Sequence, residues 1–473
     1  MTAHLCVTAE QKRFLKTFFK VAVFIIFQNM ITYSVNVADN IMLGSYSQNA
    51  LAGAATVNQI QFLFQQVTFG LGEGVVALAA QYWGGKNTKP IYIFAWIGLT
   101  IGIGIGFFLT LGASLFPDKI LHIFTSDPMI ISEGVAYLNI MRFTYIPFMI
   151  TGILICSLRS MEMVKIGFYV SMLSLLINIT LNSIFIFGRF GMPEMGTAGA
   201  AVGTLSARIA ELVTIIVYIR KKKPGLLVPQ FFNFKAQHFI TFVKTSLPIV
   251  TAQTLFGLSL TLQTVILGHL SSIAIAANSA ATTIFQYLKL IAVGSSSATV
   301  IVVGKLVGSG KDASLEKHKK DLQKIYLLVG LLICLLLNVI KNPLLSVYSL
   351  TADTKQLAIQ IITVLSICSI GMAYQMPVIA GIIRGAGDTS FGLKCDTVCI
   401  WAIMYPLSLL AAFVWKVPVL MIVAFLNSDQ IFKCIPAFIK VNKYFKVQQI
   451  IDKVASKSPE HSGRLFTNQG GND

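Results

Sequence analysis

Asp39, Asn178, Asn182, Tyr137 and Thr204 are the residues of this sequence whose types and placement best suit chemistry: one carboxylate, two amides, a phenol and a hydroxyl, each inside a long apolar run. On the first run Gln28, Thr32, Asn36 and Asp39 share an arc of about 80° at 100° per residue. Ser171, Ser174, Asn178 and Asn182 share a similar arc of about 80° on the fifth. At about 1.5 Å per residue, Asp39 falls near the outer end of an outward-running helix, and the other four residues fall in the outer half of theirs. Oxygen atoms gathered at one depth suit a cation, with Na+ held at Asp39, Asn178 and Asn182, or a proton cycling on Asp39. Packing alone accounts for amides and hydroxyls, at about 0.6 kcal/mol per interhelical bond. It does not account for a carboxylate, which is costly in a membrane and functional there by default.

Other polar groups on the apolar runs are candidates for a substrate cavity: Gln28, Thr32, Asn36, Arg142, Gln253 and Lys289. Arg142 and Lys289 read as the only central basic residues. Arg208 and Glu211 stand one turn apart and suit an internal ion pair. Glu73 lies among Gly70, Gly72 and Gly74, where it could pair internally, line the cavity or snorkel. The fifteen methionines and thirty-three phenylalanines offer adaptable apolar surface, without marking which of them line a chamber.

The elements that position these groups follow from composition. Of 473 residues, 55% are hydrophobic and 12% charged, against about 25% charge in soluble domains. Runs long enough to cross a bilayer recur along the chain. They predict twelve helices, near 17–43, 51–80, 90–117, 129–158, 164–188, 195–219, 239–268, 273–304, 322–346, 354–383, 390–415 and 418–440. The fold class is therefore an all-α polytopic membrane protein, with two pseudo-symmetric six-helix lobes around a central cavity. The halves repeat: Asp39-Asn40-Ile41-Met42-Leu43-Gly44 returns as Gln263-Thr264-Val265-Ile266-Leu267-Gly268, 224 positions later. The same shift superimposes Ala52 on Ala276, Gly70 on Gly294 and Gly84 on Gly308. Duplicated halves mark secondary transporters. The acid is kept only in the first copy.

Predicted boundaries are a cytoplasmic amino terminus at 1–16, a first lobe at 17–220 and a cytoplasmic linker at 221–238. A second lobe at 239–445 and a cytoplasmic tail at 446–473 complete the chain. The linker opens with Arg220-Lys221-Lys222-Lys223-Pro224-Gly225 and continues into an amphipathic stretch, Phe231 to Phe242.

The net charge of +18 does not indicate nucleic acid. Of the 37 Lys and Arg, 29 fall in segments on the side of the termini. Five fall in loops on the other side: Lys119, Arg189, Lys341, Lys355 and Lys416. This bias predicts a multi-pass protein of the plasma (inner) membrane with both termini cytoplasmic and the basic charge facing lipid. The partners are then the bilayer and small amphipathic organic substrates, and the protein is read as a monomer. The six histidines form no HxxxH pair and the seven cysteines no CxxC. No nucleophile motif appears, so no enzyme activity and no cofactor are expected. Gly84-Gly85-Lys86 and Gly308-Ser309-Gly310-Lys311 lack phosphate-loop spacing and read as turns at helix ends.

Several segments resemble the multidrug and toxic compound extrusion (MATE) family over nearly the whole length. They are Asp39 to Gly44, Ala79-Ala80-Gln81-Tyr82-Trp83-Gly84, Asn178-Ile179-Thr180-Leu181-Asn182, Gly196 to Ala201, and Arg384-Gly385-Ala386-Gly387-Asp388-Thr389. The resemblance implies two six-helix lobes in a V, and antiport exporting amphipathic, often cationic, drugs or toxic compounds against H+ or Na+. Asp39 matches the family's first-helix carboxylate, while Asn178, Tyr137 and Thr204 look like its amino-lobe partners. Asn182 stands where many members have Asp, Gln253 stands near the place of a helix-seven Glu, and span ten holds no acid. These departures argue against coupling in the second lobe and lean the reading towards a proton on Asp39. A lipid-linked oligosaccharide flippase of the related superfamily is the alternative.

Overall fold

The structure is a computed structural model that describes residues 9–230, 235–310, 312–346 and 350–444. Cys6, Lys311, the start of the amphipathic linker stretch and the predicted tail lie outside the described residues. Twelve helices are long and apolar enough to cross a membrane. The first four are α1 (Gln11–Tyr46), α2 (Gln48–Gly84), α3 (Lys89–Leu115) and α4 (Pro128–Ser160). Next come α5 (Lys165–Phe185), α6 (Gly196–Lys222), α7 (Ala236–Gly268) and α8 (Ser272–Gly308). The last four are α9 (Ser314–Leu345), α10 (Ala352–Ile383), α11 (Ser390–Val414) and α12 (Val419–Lys443). Among the described residues there is no strand, which suits a lipid solvent where backbone groups must bond within their own segment. Large apolar side chains point outward along these helices; on α9, Leu331, Leu335 and Val339 are 49%, 63% and 73% exposed. Such a surface suits contact with lipid.

The repeat is visible residue by residue. Ser47 caps α2 by accepting from the Ala50 amide, and Ser271, 224 positions on, caps α8 by accepting from Ala274. The contacts between the halves are reciprocal as well. A Cβ on Gly84 would meet the Lys305 carbonyl oxygen at 2.2 Å, and one on Gly308 would meet that of Gln81 at 1.7 Å. Lys305 is the counterpart of Gln81. One helical stretch deeper, Gly70 packs on Val250 and Gly294 on its counterpart Ile26. The halves are thus joined about a pseudo-twofold axis between α2 and α8, at the helix ends nearest the termini. Only glycine allows backbones this close. Lys305 and Glu162, 2.7 Å apart, add an ion pair at the same end.

Several helices depart from regular α geometry. α4 tightens into a 3-10 turn at Arg142–Thr144, α7 contains Pro248, and α10 relaxes into a π-type turn at Val378–Ile383. Proline and π-type turns are recognised causes of kinks. On α3, Gly98 and Gly102 receive side chains of neighbouring helices while Gly104 faces open space.

Candidate functional site

α1, α5 and α6 bring the polar group of the first half together. Asn182 Nδ2 donates to Asp39 Oδ1 at 2.5 Å and lies 3.3 Å from Asn178 Oδ1. Asn178 Nδ2 donates to Thr204 Oγ1 at 3.2 Å. Asn178 and Thr204 also lie against the Asp39 carboxylate, and Tyr137 from α4 lies beside Thr204. All five are buried, and Asn178 and Asn182 fully so. The positions follow from local sequence. Asn178 and Asn182 are one turn apart on α5, and Gly203 on α6 leaves room for the amide, since a Cβ there would meet Asn182 Oδ1 at 2.1 Å. That oxygen has no hydrogen-bond partner among the described residues.

A cavity of about 440 Å³ lies between the halves. Gln28, Thr32, Asn36, Gln253 and Lys289 line it, as do Ser171 and the rings of Phe62, Phe69, Phe148 and Phe256. Asp39 is not among its lining residues, so the stripe on α1 divides. Its inner members face the cavity and its outermost member faces α5 and α6. Arg208 connects the two regions: it lines the cavity, holds Glu211 at 2.9 Å, and acts electrostatically on Asp39.

A family model described as MatE matches residues 25–184 and 248–410. The chain belongs to the MatE family. Members of the MatE family are transporters, and this chain is a multi-pass membrane transporter rather than an enzyme. It is 24% identical to the uncharacterized transporter YisQ of Bacillus subtilis over 382 residues, covering 79% of this chain and 82% of that one. It is 23% identical to the probable multidrug resistance protein NorM of Thermotoga maritima over 387 residues, covering 80% and 82% of the two chains. The fold matches the bent form of the Vibrio cholerae MATE transporter VcmN with a TM-score of 0.81 at 17% identity, over 95% of this chain and 100% of that one. These matches do not favour the flippase alternative.

Within this MatE frame, several expectations need correcting. Arg142 does not line the cavity. Its guanidinium lies 5.0 Å from the ring centre of the adjacent Phe143, and its Nε is buried without a hydrogen-bond partner among the described residues. Nor are Arg142 and Lys289 the only central basic residues, since Arg159, Arg208, Lys289, Arg384 and Lys433 all line the cavity. Arg384 and Lys433, counted by sequence with the charges at the inner face, are 8% and 4% exposed. Glu73, for which internal pairing is one of the alternatives the sequence leaves open, pairs internally and does not line the cavity. It is buried, 3.6 Å from Arg384, and accepts from Ser297.

The sequence reading missed the ionic group of the second half. Lys433 Nζ lies 2.7 Å from Asp396 on α11 and 3.0 Å from Asp429 on α12, and Gln375 and Gln430 extend the network. The signal was present: Asp429 and Lys433 are i,i+4 charges inside an apolar run. Gln263, the counterpart of Asp39, donates to the Leu426 carbonyl oxygen at 3.1 Å and takes a packing role.

Proposed function

We propose that this transporter is a secondary antiporter that exports amphipathic organic compounds in exchange for H+ or Na+, with the ion bound at Asp39. It works as a monomer in the plasma (inner) membrane with both termini cytoplasmic. The observation that carries this reading is a buried carboxylate held by Asn182 within one half, outside the cavity, but in the field of a cavity-lining arginine. Ion and substrate then occupy different places and communicate through Arg208. The names of the relatives, which include probable multidrug resistance proteins, support efflux of foreign compounds.

The arrangement favours the proton. Asn182 presents its N–H to Asp39 and turns its oxygen towards Gly203. A sodium ion would need that amide reversed, so that oxygen rather than N–H faced the site. A proton needs no rearrangement beyond the carboxylate itself. The driving force suffices, since about 100 mV supplies about 2.3 kcal/mol per charge and one pH unit about 1.4 kcal/mol per proton.

The test uses purified protein in liposomes loaded with a fluorescent amphipathic dye, under a pH gradient or a Na+ gradient imposed separately. Movement driven by one gradient and abolished by Asp39→Asn, in a variant that still folds and inserts, supports the reading and names the ion. Undiminished transport by Asp39→Asn overturns the role of Asp39.

A further inference from the structure

The cavity is lined by five basic side chains and two acidic ones, Glu211 and Asp396. Both acids are already engaged, Glu211 by Arg208 and Asp396 by Lys433. Arg384 has Glu73 at 3.6 Å. Two cations remain with no carboxylate in ion-pair range among the described residues. Arg159 of α4 donates to the neutral Gln28 Oε1 at 2.8 Å, and its Nε has no hydrogen-bond partner. Lys289 of α8 rests 4.3 Å from the ring centre of Phe256 and has no hydrogen-bond partner among the described residues; the carboxylate that acts on it, Asp429, is bonded to Lys433.

The repeat explains why Arg159 lacks an acid. It stands one residue from the position equivalent to Arg384, and the place equivalent to Glu73 in the second half is Ser297. The second half thus receives an arginine with its carboxylate from the first, and the first half keeps an arginine without one. A buried unpaired cation is costly. A ligand that brings a negative charge removes that cost, and the phenylalanine rings that line the same cavity suit a flat apolar body.

We infer that the cavity recognises amphipathic aromatic acids, the anionic group lying against Lys289, the ring system among Phe62, Phe69, Phe148 and Phe256, and Arg159 adding positive charge to the same cavity. The inference deepens the antiport reading and rests on it for direction of transport, though not for binding. It departs from the cationic substrates that the family resemblance leads one to expect.

Two probes of one shape and opposite fixed charge test it: naphthalene-2-sulfonate and (naphthalen-2-ylmethyl)trimethylammonium. Equilibrium binding to the detergent-solubilised full chain is measured first, then gradient-driven movement in liposomes. The expected result is that the sulfonate binds at least about tenfold tighter than the ammonium compound. Lys289→Gln should lose that preference at least about tenfold, and Lys289→Arg should keep it. A cavity that binds the ammonium compound better, or sulfonate binding that Lys289→Gln leaves unchanged in a folded variant, overturns the inference. Sulfonate that binds in a Lys289-dependent way but moves under neither gradient sustains the inference and counts against antiport alone.

Discussion

Glu73 and Ser297 occupy equivalent places in the two halves, and they hydrogen-bond to each other at 2.9 Å across the pseudo-twofold axis. The duplicated backbone is symmetric at this point and the chemistry is not, because the acid of the first half has a hydroxyl as its mate. Arg384, 3.6 Å from Glu73, supplies the countercharge from the second half. An ion pair that is 1% and 8% exposed and spans both halves belongs to the arrangement in which they are closed at this end.

Breaking this pair by one partner leaves a buried charge. Arg384→Met and Glu73→Gln should each destabilise the protein by about 3–5 kcal/mol. The double variant should lose clearly less than the sum of the two. Thermal unfolding of the purified protein in detergent measures this cycle, and simple additivity would show that the residues do not act on each other.

Gly203 gives a way to disturb Asp39 without touching any polar residue. Gly203→Ala places a methyl group on Asn182 Oδ1 and displaces the amide that donates to the carboxylate. Gradient-driven transport should fall as it does in Asn182→Ala, by about tenfold or more, which corresponds to about 1.4 kcal/mol. Full transport by Gly203→Ala would mean that the amide's position is immaterial.

Lys433 neutralises two carboxylates in the second half. Lys433→Met should be poorly folded, because Asp396 and Asp429 are then left without a cation. Adding Asp396→Asn and Asp429→Asn should restore much of the loss. Asp396→Asn alone should be mild, since Asp429 still pairs with the lysine. Monodispersity and unfolding temperature in detergent report all three outcomes.

Asp388 lies between α10 and α11, outside the membrane-spanning segments, 2.9 Å from Lys440. Partial burial works to raise its carboxyl pKa, but the hydrogen bond and charge of Lys440, with Ser390 and the Phe391 amide, hold it below the usual carboxylate range. A depressed folded-state pKa contributes stability that is present above the unfolded value near about 4 and lost as pH falls through the folded one. The gap in unfolding temperature between the wild type and Asp388→Asn should therefore be constant from about pH 5 to 8 and close at lower pH. Because the pair is about a third exposed, the corresponding stability difference should be small, under about 1 kcal/mol.

Much of this was legible in the sequence. Apolar length placed the eleventh span at 390–415, against Ser390–Val414 in the structure. Helical periodicity and common depth brought Asp39, Asn178, Asn182, Tyr137 and Thr204 into one list, and they share one site in the fold. What could not be read depends on departures from the ideal helix. A 3-10 turn at Arg142–Thr144 breaks the regular helical period on which the reading of that side chain rested, and apolar length alone does not reveal it. Lys433 and Arg384 were misassigned for a related reason. Near the end of a span, a charge bound for the membrane surface and one buried in an ion pair look the same until the partner helix is placed.

The core that holds the halves together is built from both of them. Phe18, Val21, Ala22 and Ile25 of α1, with Val76 and Ala77 of α2, form one cluster with Ala298 and Val300 to Val303 of α8, Tyr326 of α9 and Ile382 of α10. During synthesis the first six helices therefore emerge with an apolar stripe whose protein partners have not yet been made. Lipid or a membrane chaperone must occupy that stripe until α8 and α9 follow. A ribosome stalled in the linker would leave a first half that holds its own core, around Leu43, Phe64 and Tyr137, with this shared face still uncovered.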